Sequence, residues 1–298
     1  QGWLMYPYGC LEQTVSRALP LLYFNQVAGV WVGQNATESG LRARAQDAIQ
    51  RILTLQDAGG GFGLWSADSS VEPWLSAFAM DFLERARQEQ YLVPESASQR
   101  GLKFLQEQVN QDEFEEAQLS GRAYALYVLA RARQASIGDL RYLHDNHLRK
   151  LPSALAQAQL GAALARYGEL PRAREAFAAA LDRTERTATR DYGSPLRDRA
   201  ALLALLAESG QWPERVPQLT EQVAAEFNQR RQASTQEQTW LLLAAHALFK
   251  QPAPLRLAVD GQAVSADPFH LTPTGEQLAR SLTVVNQGDR PAWVTTSA

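Results

Sequence analysis

The sequence predicts a mainly α-helical fold, an α/α toroid of inner and outer helices, followed by a short β segment. From residue 11 to about 250, apolar residues recur at spacings of three and four, the period of an amphipathic helix, and Gly or Pro clusters interrupt the pattern. Helices rich in Ala and Leu alternate with more charged helices, roughly every 30 to 45 residues. Because a helix that is apolar nearly all round must be buried, this alternation predicts an inner and an outer layer.

The predicted helices end at Gly, Pro and capping residues. They cover residues 11–29, 38–57, 72–89, 95–109, 115–134, 137–149, 152–167, 170–182, 196–208, 213–230 and 234–250. Pro20 is expected to kink or divide the first helix, because proline lacks the backbone N–H that a helix interior uses. A closed ring is favoured over an open solenoid, since no terminal repeat has the polar face of a capping repeat.

The composition changes after Pro252, so residues 1–252 and 253–298 are predicted to be two domains. The segments PLRLAVDGQAVSA and ARSLTVVNQGDRPAWVTTS combine short alternating runs with turn residues, which indicates two β-hairpins. About 45 residues of strand cannot form a stable sandwich alone, so we expect the rest of this sheet to lie elsewhere in a longer chain. The abrupt start without Met supports the same expectation.

The bulk composition excludes several classes of function. The 298 residues carry a net charge of −3 and dispersed basic side chains, so binding to nucleic acid is not expected. No run approaches the roughly 20 apolar residues that cross a bilayer, and the N-terminal residues lack the order of a signal peptide. One cysteine cannot form an internal disulfide.

The single cysteine, Cys10, stands at the start of the first predicted helix, in the stretch YPYGCLEQTVSRALP. Gln13 follows three residues later, and residues three apart on a helix are neighbours. The thiolate can therefore attack the side-chain carbonyl of Gln13, expel ammonia and form an intramolecular thioester. The partial positive charge of a helix N-terminus would stabilise a thiolate both as attacking and as leaving group.

Residues around this pair have predicted supporting roles. Gly9 would allow a tight turn into the helix. Glu12 either assists proton transfer to the departing Cys10 sulfur or simply interacts favourably with the helix dipole. The aromatic residues that could shield the bond from water are Trp3, Tyr6 and Tyr8.

Spacing alone leaves two other interpretations of Cys10 open. A lone cysteine near a helix start is most often a small buried hydrophobe. A nucleophilic cysteine enzyme needs a nearby histidine as base, and histidine is scarce in this chain. The four histidines are His144, His147, His246 and His270.

The motif resembles the thioester signature of the α2-macroglobulin and complement superfamily, in which Gly-Cys-x-Glu-Gln precedes a helix. Leu at the variable position and the leading Tyr-Pro-Tyr resemble the bacterial α2-macroglobulins in particular. GGGFGLW (59–65) and SSVEPWLSAFAMDFL (69–83) resemble the family's Gly-rich turn and the helix after it, and STQEQTWLLLAAHAL (234–248) resembles its late Ser-Thr-Gln helix. The resemblance thus extends over about residues 3 to 250.

The resemblance implies a helical toroid thioester domain that is inserted within a CUB-like β-sandwich domain. It also implies a protease inhibitor that reacts once and is not an enzyme: a protease cuts a bait region elsewhere, and the thioester is unmasked. A nucleophile of the protease, typically a lysine amine, then takes the acyl group of Gln13, and Cys10 leaves as a free thiol. The implied partners are target proteases and the other domains of the same chain, with no cofactor and no metal.

The same resemblance implies a location. Bacterial relatives act in the periplasm, generally as lipoproteins on the inner membrane, through an anchor outside these residues. The domain that buries the thioester would also lie outside them, so we expect an exposed reactive bond here.

One departure from the superfamily pattern concerns the acceptor. Complement members that esterify hydroxyls have a histidine about a hundred residues after the cysteine, whereas the matching stretch NQDEFEEAQLS (110–120) has none. The resemblance therefore implies direct attack by amines and poor transfer to sugar hydroxyls. Asp112 and Glu116 could lie near the site, but an exposed acidic face is the simpler interpretation.

The other two motifs have structural explanations. The run GGGFGLW, with Gly60 at its centre, is predicted to be a loop between helices that Phe62 and Trp65 plug. Ser234 is a predicted N-cap with Glu237 as its capping-box partner. A direct functional role for Ser234 or Gln236 is the less favoured alternative.

Three further hypotheses complete the set. His144 and His147 share a helical face as a metal pair would, but no third ligand is evident, so a solvated helix end is favoured. An α/α-toroid enzyme, a glycosidase or cyclase, would use paired carboxylates in the mouth of the ring. Its candidates are Asp68, Glu72 and Asp112. A helical-repeat binding module with an inert Cys10 is the third hypothesis.

Overall fold

The computed structural model of the protein describes residues 9–31, 38–111, 115–183, 186, 191–230, 232–250, 256–264 and 281–288. Eleven α-helices follow one another in these ranges. They are α1 (Leu11–Trp31), α2 (Glu38–Leu53), α3 (Pro73–Gln88), α4 (Glu95–Val109), α5 (Leu119–Arg131), α6 (Ile137–His147), α7 (Ala154–Arg166), α8 (Leu170–Asp182), α9 (Pro195–Ser209), α10 (Val216–Asn228) and α11 (Thr235–Phe249). Short 3₁₀ turns lie at Glu116–Gln118, Leu148–Lys150 and Pro213–Arg215. Every predicted helix is present within a few residues of its predicted bounds.

The odd-numbered helices form a closed ring. Each of α1, α3, α5, α7 and α9 packs against the next odd-numbered helix, and α11 packs against α1 to complete the circle. The even-numbered helices lie outside it: α2 packs on α1, α4 on α3 and α5, α6 and α8 on α7, and α10 on α9. The predicted α/α toroid is therefore confirmed, including its closure.

Inner and outer helices differ in burial as their composition predicts. Every side chain is buried over residues 74–86 of α3 and over residues 154–164 of α7. The outer helix α10 buries only Val216, Leu219 and Val223, which are spaced by three and four residues. One apolar stripe is enough to hold an outer helix against the ring, whereas an inner helix needs apolar or small residues on all sides.

Pro20 does not divide α1, which continues from Leu11 to Trp31 as one helix. Proline has no N–H to donate to the carbonyl four residues earlier, here that of Ser16. The hydroxyl of Thr239 on α11 donates to the Ser16 carbonyl at 2.8 Å instead. Of the expected kink or division, the division is therefore wrong, because a neighbouring helix supplies a hydrogen bond where the backbone cannot; the kink stays a prediction.

All six inner helices of the described ranges begin on one side of the ring, which we call the amino face. Hydrogen bonds join the first turns of α1 and α11, through Glu12 and Gln236, and those of α9 and α11, through Ser194 and Glu237. The guanidinium of Arg197 at the start of α9 lies over the ring of Trp74 at the start of α3. Gly121 at the start of α5 lies beside Trp74, and Ala154 at the start of α7 lines the same cleft as Pro195. On the opposite side, the carboxyl face, Arg85 near the end of α3 bonds to Tyr23, Tyr127 and Glu208. The inner helices therefore run parallel, from the amino face to the carboxyl face.

Three short strands follow the last helix. β1 (Leu257–Val259) pairs antiparallel with both β2 (Gln262–Val264) and β3 (Val284–Asn286), in the order β2-β1-β3. Asp260 and Gly261 connect β1 to β2 with φ of +48° and +82°, the left-handed conformations of a type I′ turn. The first predicted hairpin is confirmed. The return strand of the second lies outside the described residues, and the domain division at residue 252 stays a prediction.

Candidate functional site

Cys10 occupies the N-cap position of α1. It directly precedes the first helical residue, and its carbonyl accepts from the backbone N–H of Thr14 at 2.9 Å and from the Thr14 hydroxyl at 3.0 Å. Gln13 is then the third residue of the helix. The N-cap and third positions are the two whose side chains reach towards each other in a capping box. The local geometry therefore places a thiol and a side-chain amide where helices ordinarily bring two side chains together.

The pair is accessible from outside the ring. Gln13 is exposed, Cys10 is half-buried and Gly9 is buried. A Cβ atom at position 9 would lie 3.1 Å from both the Cβ and the Oε1 of Gln13. Glycine thus leaves the space that the Gln13 acyl group needs. The predicted shielding residues Trp3, Tyr6 and Tyr8 lie outside the described residues.

The Gly-rich loop supports the start of α1. The backbone N–H of Leu11, which has no acceptor within its own helix, donates to the Leu64 carbonyl at 2.9 Å. Gly60 has a φ of +95°, and a Cβ there would overlap the backbone oxygen of Arg100. Phe62 is fully buried, and its N–H donates to the Ser76 hydroxyl at 3.0 Å. The loop therefore fixes where the start of α1 lies relative to α3.

Trp65 does not plug this loop, so that part of the prediction is wrong. Its side chain is 59% exposed. Its backbone N–H donates to the Ser69 hydroxyl at 3.3 Å, and the Ser69 N–H donates to the Ser66 carbonyl at 3.1 Å. This tight turn lies at the surface and directs the indole away from the core.

Glu12 faces α11, away from Cys10, and is only 6% exposed. Its Oε1 accepts from the hydroxyl of Ser16 at 2.7 Å, from the hydroxyl of Thr235 at 3.0 Å and from Nε2 of Gln236 at 3.1 Å. Three donors on one oxygen make Glu12 an anchor between α1 and α11. Its predicted assistance to the Cys10 sulfur stays a prediction.

The late Ser-Thr-Gln motif is the start of α11 and meets α1 directly. Ser234 caps the helix, and the capping box with Glu237 is present in both directions. Glu237 also accepts from the Ser194 hydroxyl at 2.5 Å and from the Arg230 guanidinium at 2.7 Å. Sequence reasoning missed Thr235, Thr239 and Ser16 as partners of the site. The available signal was the presence of hydroxyl residues in helices that are otherwise apolar.

The amino face is electrostatically suited to a developing thiolate. Six parallel helices direct their positive ends to this side, and the effect is strongest within the first turn, where Cys10 lies.

The acidic and basic side chains at the start of α9 pair with one another: Arg197 bonds to Asp191 and Asp198, each at 2.7 Å. Burial raises the pKa of Asp198, although Arg197 and Arg186 oppose that shift.

The two histidines of α6 differ in their surroundings. Nδ1 of His144 lies 2.8 Å from Oδ1 of Asp145, and its Nε2 lies 3.4 Å from Glu175. His144 is buried, so a solvated helix end is the wrong description of it, because α8 packs against that face of α6. Burial lowers the pKa of His147. The described residues contain no group of three side chains that could hold a metal ion.

The carboxylates proposed for a toroid enzyme have other positions. Glu72 is the N-cap of α3 and accepts from the Leu75 N–H at 3.2 Å. Asp68 is exposed, and Asp112 lies outside the described residues. The positions of Asp68 and Glu72 do not support a paired-carboxylate site.

Glu116, the other acidic residue considered as a neighbour of the thioester, is exposed and lies 3.7 Å from the ammonium of Lys150. It fits the simpler interpretation of an exposed acidic face.

Comparison with known proteins finds matches that cover nearly the whole chain. Residues 1–126 match the family model described as the A-macroglobulin TED domain. The chain is 34% identical to an α2-macroglobulin of Escherichia coli strain K12, over 98% of this chain and 19% of that protein.

Solved structures agree with this match. The fold is similar to that of Salmonella α2-macroglobulin reacted with methylamine, with a TM-score of 0.76 and 35% identity over 96% of this chain and 20% of that one. It is also similar to trypsin-activated α2-macroglobulin from Escherichia coli, with a TM-score of 0.76 and 34% identity over 95% of this chain and 20% of that one. The chain thus spans about a fifth of the length of these relatives, and the matches confirm the resemblance seen in the motifs.

Proposed function

We propose that this chain, which belongs to the α2-macroglobulin family, contains the thioester domain of a protease-trapping inhibitor. The observation that carries the proposal is the placement of Cys10 and Gln13 at the N-cap and third positions of α1, one half-buried and the other exposed. The alternative of an inert cysteine explains neither this placement nor the space that Gly9 leaves for the Gln13 side chain.

The bond forms by loss of ammonia. Sγ of Cys10 attacks the side-chain carbonyl carbon of Gln13, and the new S–C bond replaces the C–N bond of the amide. The thiol proton leaves with the nitrogen as ammonia. The helix N-terminus favours the thiolate in this step, and the fixed first turn keeps the two groups close enough to make the reaction intramolecular.

The thioester then acylates an amine of the attacking protease. A lysine nitrogen bonds to the Gln13 carbonyl carbon, the S–C bond breaks, and the nitrogen's proton passes to the Cys10 sulfur. One thiol is released for each new amide bond. Nothing restores the thioester, so the molecule reacts once and is not an enzyme. The absence of histidine from residues 110–120 favours amines over hydroxyls as acceptors.

The relatives support proteases and amines as reaction partners. The Salmonella protein was solved after reaction with methylamine, and the Escherichia coli protein was solved after activation by trypsin and by porcine elastase. Because this chain spans only part of such proteins, the bait region and the remaining domains belong to the proposal. The ring of residues 1–252 and the β segment of 253–298 are proposed to be parts of two domains, the second CUB-like.

A periplasmic location with an inner-membrane lipid anchor is part of the same proposal. Among the described helices, none is both long and apolar enough to span a bilayer. The proposed anchor is a lipid elsewhere in the protein, which requires no such helix. Fractionation of cells that produce the natural protein, with and without globomycin to block lipoprotein processing, would test the assignment.

Intact mass and thiol titration test the proposed bond. The protein should have a mass about 17 Da below that of its encoded chain, and methylamine should restore one titratable thiol. The matched control is Gln13→Glu, which has the side chain that hydrolysis of the thioester would create and cannot expel ammonia. A parent protein that has the full encoded mass and a free thiol from the start would overturn the proposal.

A protease completes the test. Trypsin incubated with the natural protein should form an adduct that survives denaturation, and Cys10→Ala should abolish it. Trypsin with acetylated lysines is the control for the acceptor, because it presents few amines. An adduct that persists in the Cys10→Ala variant would contradict trapping through the thioester.

A further inference from the structure

Glu12 is held mainly by contacts from α11, a helix that begins more than two hundred residues later in the chain. Thr235 and Gln236, in the first turn of α11, supply two of the three donors to Glu12 Oε1. Ser16 supplies the third from within α1. This group of four residues is called the Glu12 network below. Its carboxylate belongs to the residue directly before Gln13, so this network joins α11 to the turn of α1 that contains Cys10 and Gln13.

Gln236 is the central member of this network. It is 1% exposed, and its Nε2 donates to Glu12 Oε1 at 3.1 Å and to the Ser16 hydroxyl at 3.0 Å. Both donors of its amide are thus directed at α1. Its Oε1 is buried and has no hydrogen-bond partner among the described residues. An unpaired buried oxygen costs free energy, and a leucine at position 236 would not have that cost. The favourable contribution of the Gln236 amide is therefore its two hydrogen bonds to Glu12 and Ser16 of α1.

The geometry of a helix connects this anchor to the reactive pair. Successive residues are about 100° apart around the axis. Glu12 is therefore about 160° from Cys10 and about 100° from Gln13, whereas Cys10 and Gln13 are only about 60° apart. Holding Glu12 towards α11 turns the Cys10–Gln13 side of α1 away from the ring. The observed burial follows this order, with Glu12 buried and Gln13 exposed.

We propose that Gln236 is a positioning residue, which holds Glu12 from α11 and thereby sets the rotation of the first turn of α1 that presents Gln13. This inference rests on the proposed thioester function. A first turn that can rotate or fray separates the sulfur from the acyl carbon, so ring closure slows. Positioning of reacting atoms is sensitive at this scale, and we expect an effect on the rate of roughly ten- to a hundredfold.

The test compares Gln236→Leu with Gln238→Leu in the natural protein. Gln238 lies two residues further along α11, and its Nε2 donates to the Ala233 carbonyl at 2.7 Å, within its own helix start. Thiol release by methylamine is measured over time after synthesis, together with the free energy of unfolding. Gln236→Leu should lower the rate of thioester formation at least about tenfold, with a normal unfolding transition, and Gln238→Leu should leave the rate unchanged.

A swap separates positioning from acid chemistry. The double variant Glu12→Gln with Gln236→Glu reverses donor and acceptor but keeps a hydrogen bond between the two side chains. Restored thioester formation in the swap supports positioning. A swap that folds but stays slow would overturn it, because the Glu12 carboxylate itself would then be required.

The failures of the two proposals can be told apart. A parent protein that never forms the bond overturns the proposed function and this inference together. A parent that forms the bond at the same rate as Gln236→Leu overturns the positioning role alone.

Discussion

Buried polar groups join the inner helices at both faces of the ring, but the two groups are built differently. At the carboxyl face, Arg85 is 1% exposed and lies 2.9 Å from Asp81 and 3.1 Å from Glu208. The hydroxyl of Tyr127 accepts from the same guanidinium at 2.9 Å. At the amino face, the Glu12 network holds one carboxylate with uncharged donors only. Opposite charges hold the helices together at the carboxyl face, whereas neutral donors hold the contact between α1 and α11 at the amino face, beside the exposed Gln13.

The Glu208 carboxylate of the carboxyl face resists protonation, which supports this contrast. Burial alone would raise the pKa of Glu208, but the guanidinium groups of Arg85 and Arg131 outweigh it and hold that pKa at about 2. Burial raises the pKa of Tyr124 far above its usual value, and Asp81 adds to the effect. We call Asp81, Arg85, Arg131 and Glu208 the Arg85 cluster. It is a stability element, so its removal should affect unfolding without affecting thioester chemistry.

Arg85→Met should have the largest effect. It leaves Asp81 and Glu208 without their nearest cation, and breaking a buried ion pair in this way costs about 3 to 5 kcal/mol. Chemical denaturation would measure this loss. The control is Arg141→Met, because Arg141 pairs with Glu169 at the surface, where water screens the two charges and the pair contributes little. Equal losses in the two variants would contradict the role given to the Arg85 cluster.

His246 should make the carboxyl face sensitive to acid. Its pKa is lowered to about 4, chiefly by burial; Lys250 and Arg85 contribute to the lowering, and Glu208 opposes it. In the unfolded chain His246 is protonated below about pH 6.5, whereas in the folded protein it is protonated only below about pH 4. Stability is therefore full above pH 6.5 and falls as the pH is lowered towards 4.

The variant His246→Phe tests this pH dependence. Phenylalanine keeps a ring against Tyr23, which stacks on His246 with centroids 4.0 Å apart. The loss of unfolding free energy between pH 7 and pH 4 should shrink in the variant. A measurement at pH 8, where the histidine is neutral in both states, serves as the control for altered packing. An unchanged loss would assign the acid sensitivity to other groups.

Thr239→Val should have a moderate effect at the amino face. It removes the hydroxyl that replaces the missing N–H of Pro20, so the Ser16 carbonyl loses its partner on α11 at a cost of about 1 kcal/mol. In a Pro20→Ala background the backbone supplies that hydrogen bond, and the cost of Thr239→Val should fall. A double-mutant cycle on unfolding free energies measures this coupling. Additive losses would show that Thr239 and Pro20 act independently.

Gly9→Ala should have the smallest effect on the free energy of unfolding, but it should lower the yield of the proposed thioester. Its Cβ would crowd the Cβ and Oε1 of Gln13, both at 3.1 Å; a free Gln13 side chain can move its Oε1 away, whereas a cross-linked one cannot. We expect the free energy of unfolding to change by less than about 1 kcal/mol, while the fraction of molecules with a methylamine-releasable thiol falls. Gly138→Ala is the control, since the nearest atom to a Cβ there is Ser136 Oγ at 3.4 Å. A full thioester yield in Gly9→Ala would contradict the crowding argument.

The accuracy of the sequence predictions followed the range of the interactions. The helices, the capping box at Ser234 and the Asp-Gly hairpin depend on residues within a few positions of one another, and the structure contains all of them. The predictions for Pro20, Trp65 and His144 were wrong in part. Each failed because the residue's surroundings come from another helix or from a turn whose direction the local sequence does not set.

The sequence alone makes Cys10 and Gln13 neighbours, because a spacing of three residues at a helix start brings two side chains together in any fold. It also determined the inner and outer layers, since burial must follow the apolar period. The tertiary structure decided which way the pair points. That direction depends on the contacts of Glu12 with Thr235 and Gln236, and residues more than two hundred positions apart meet only when the ring closes.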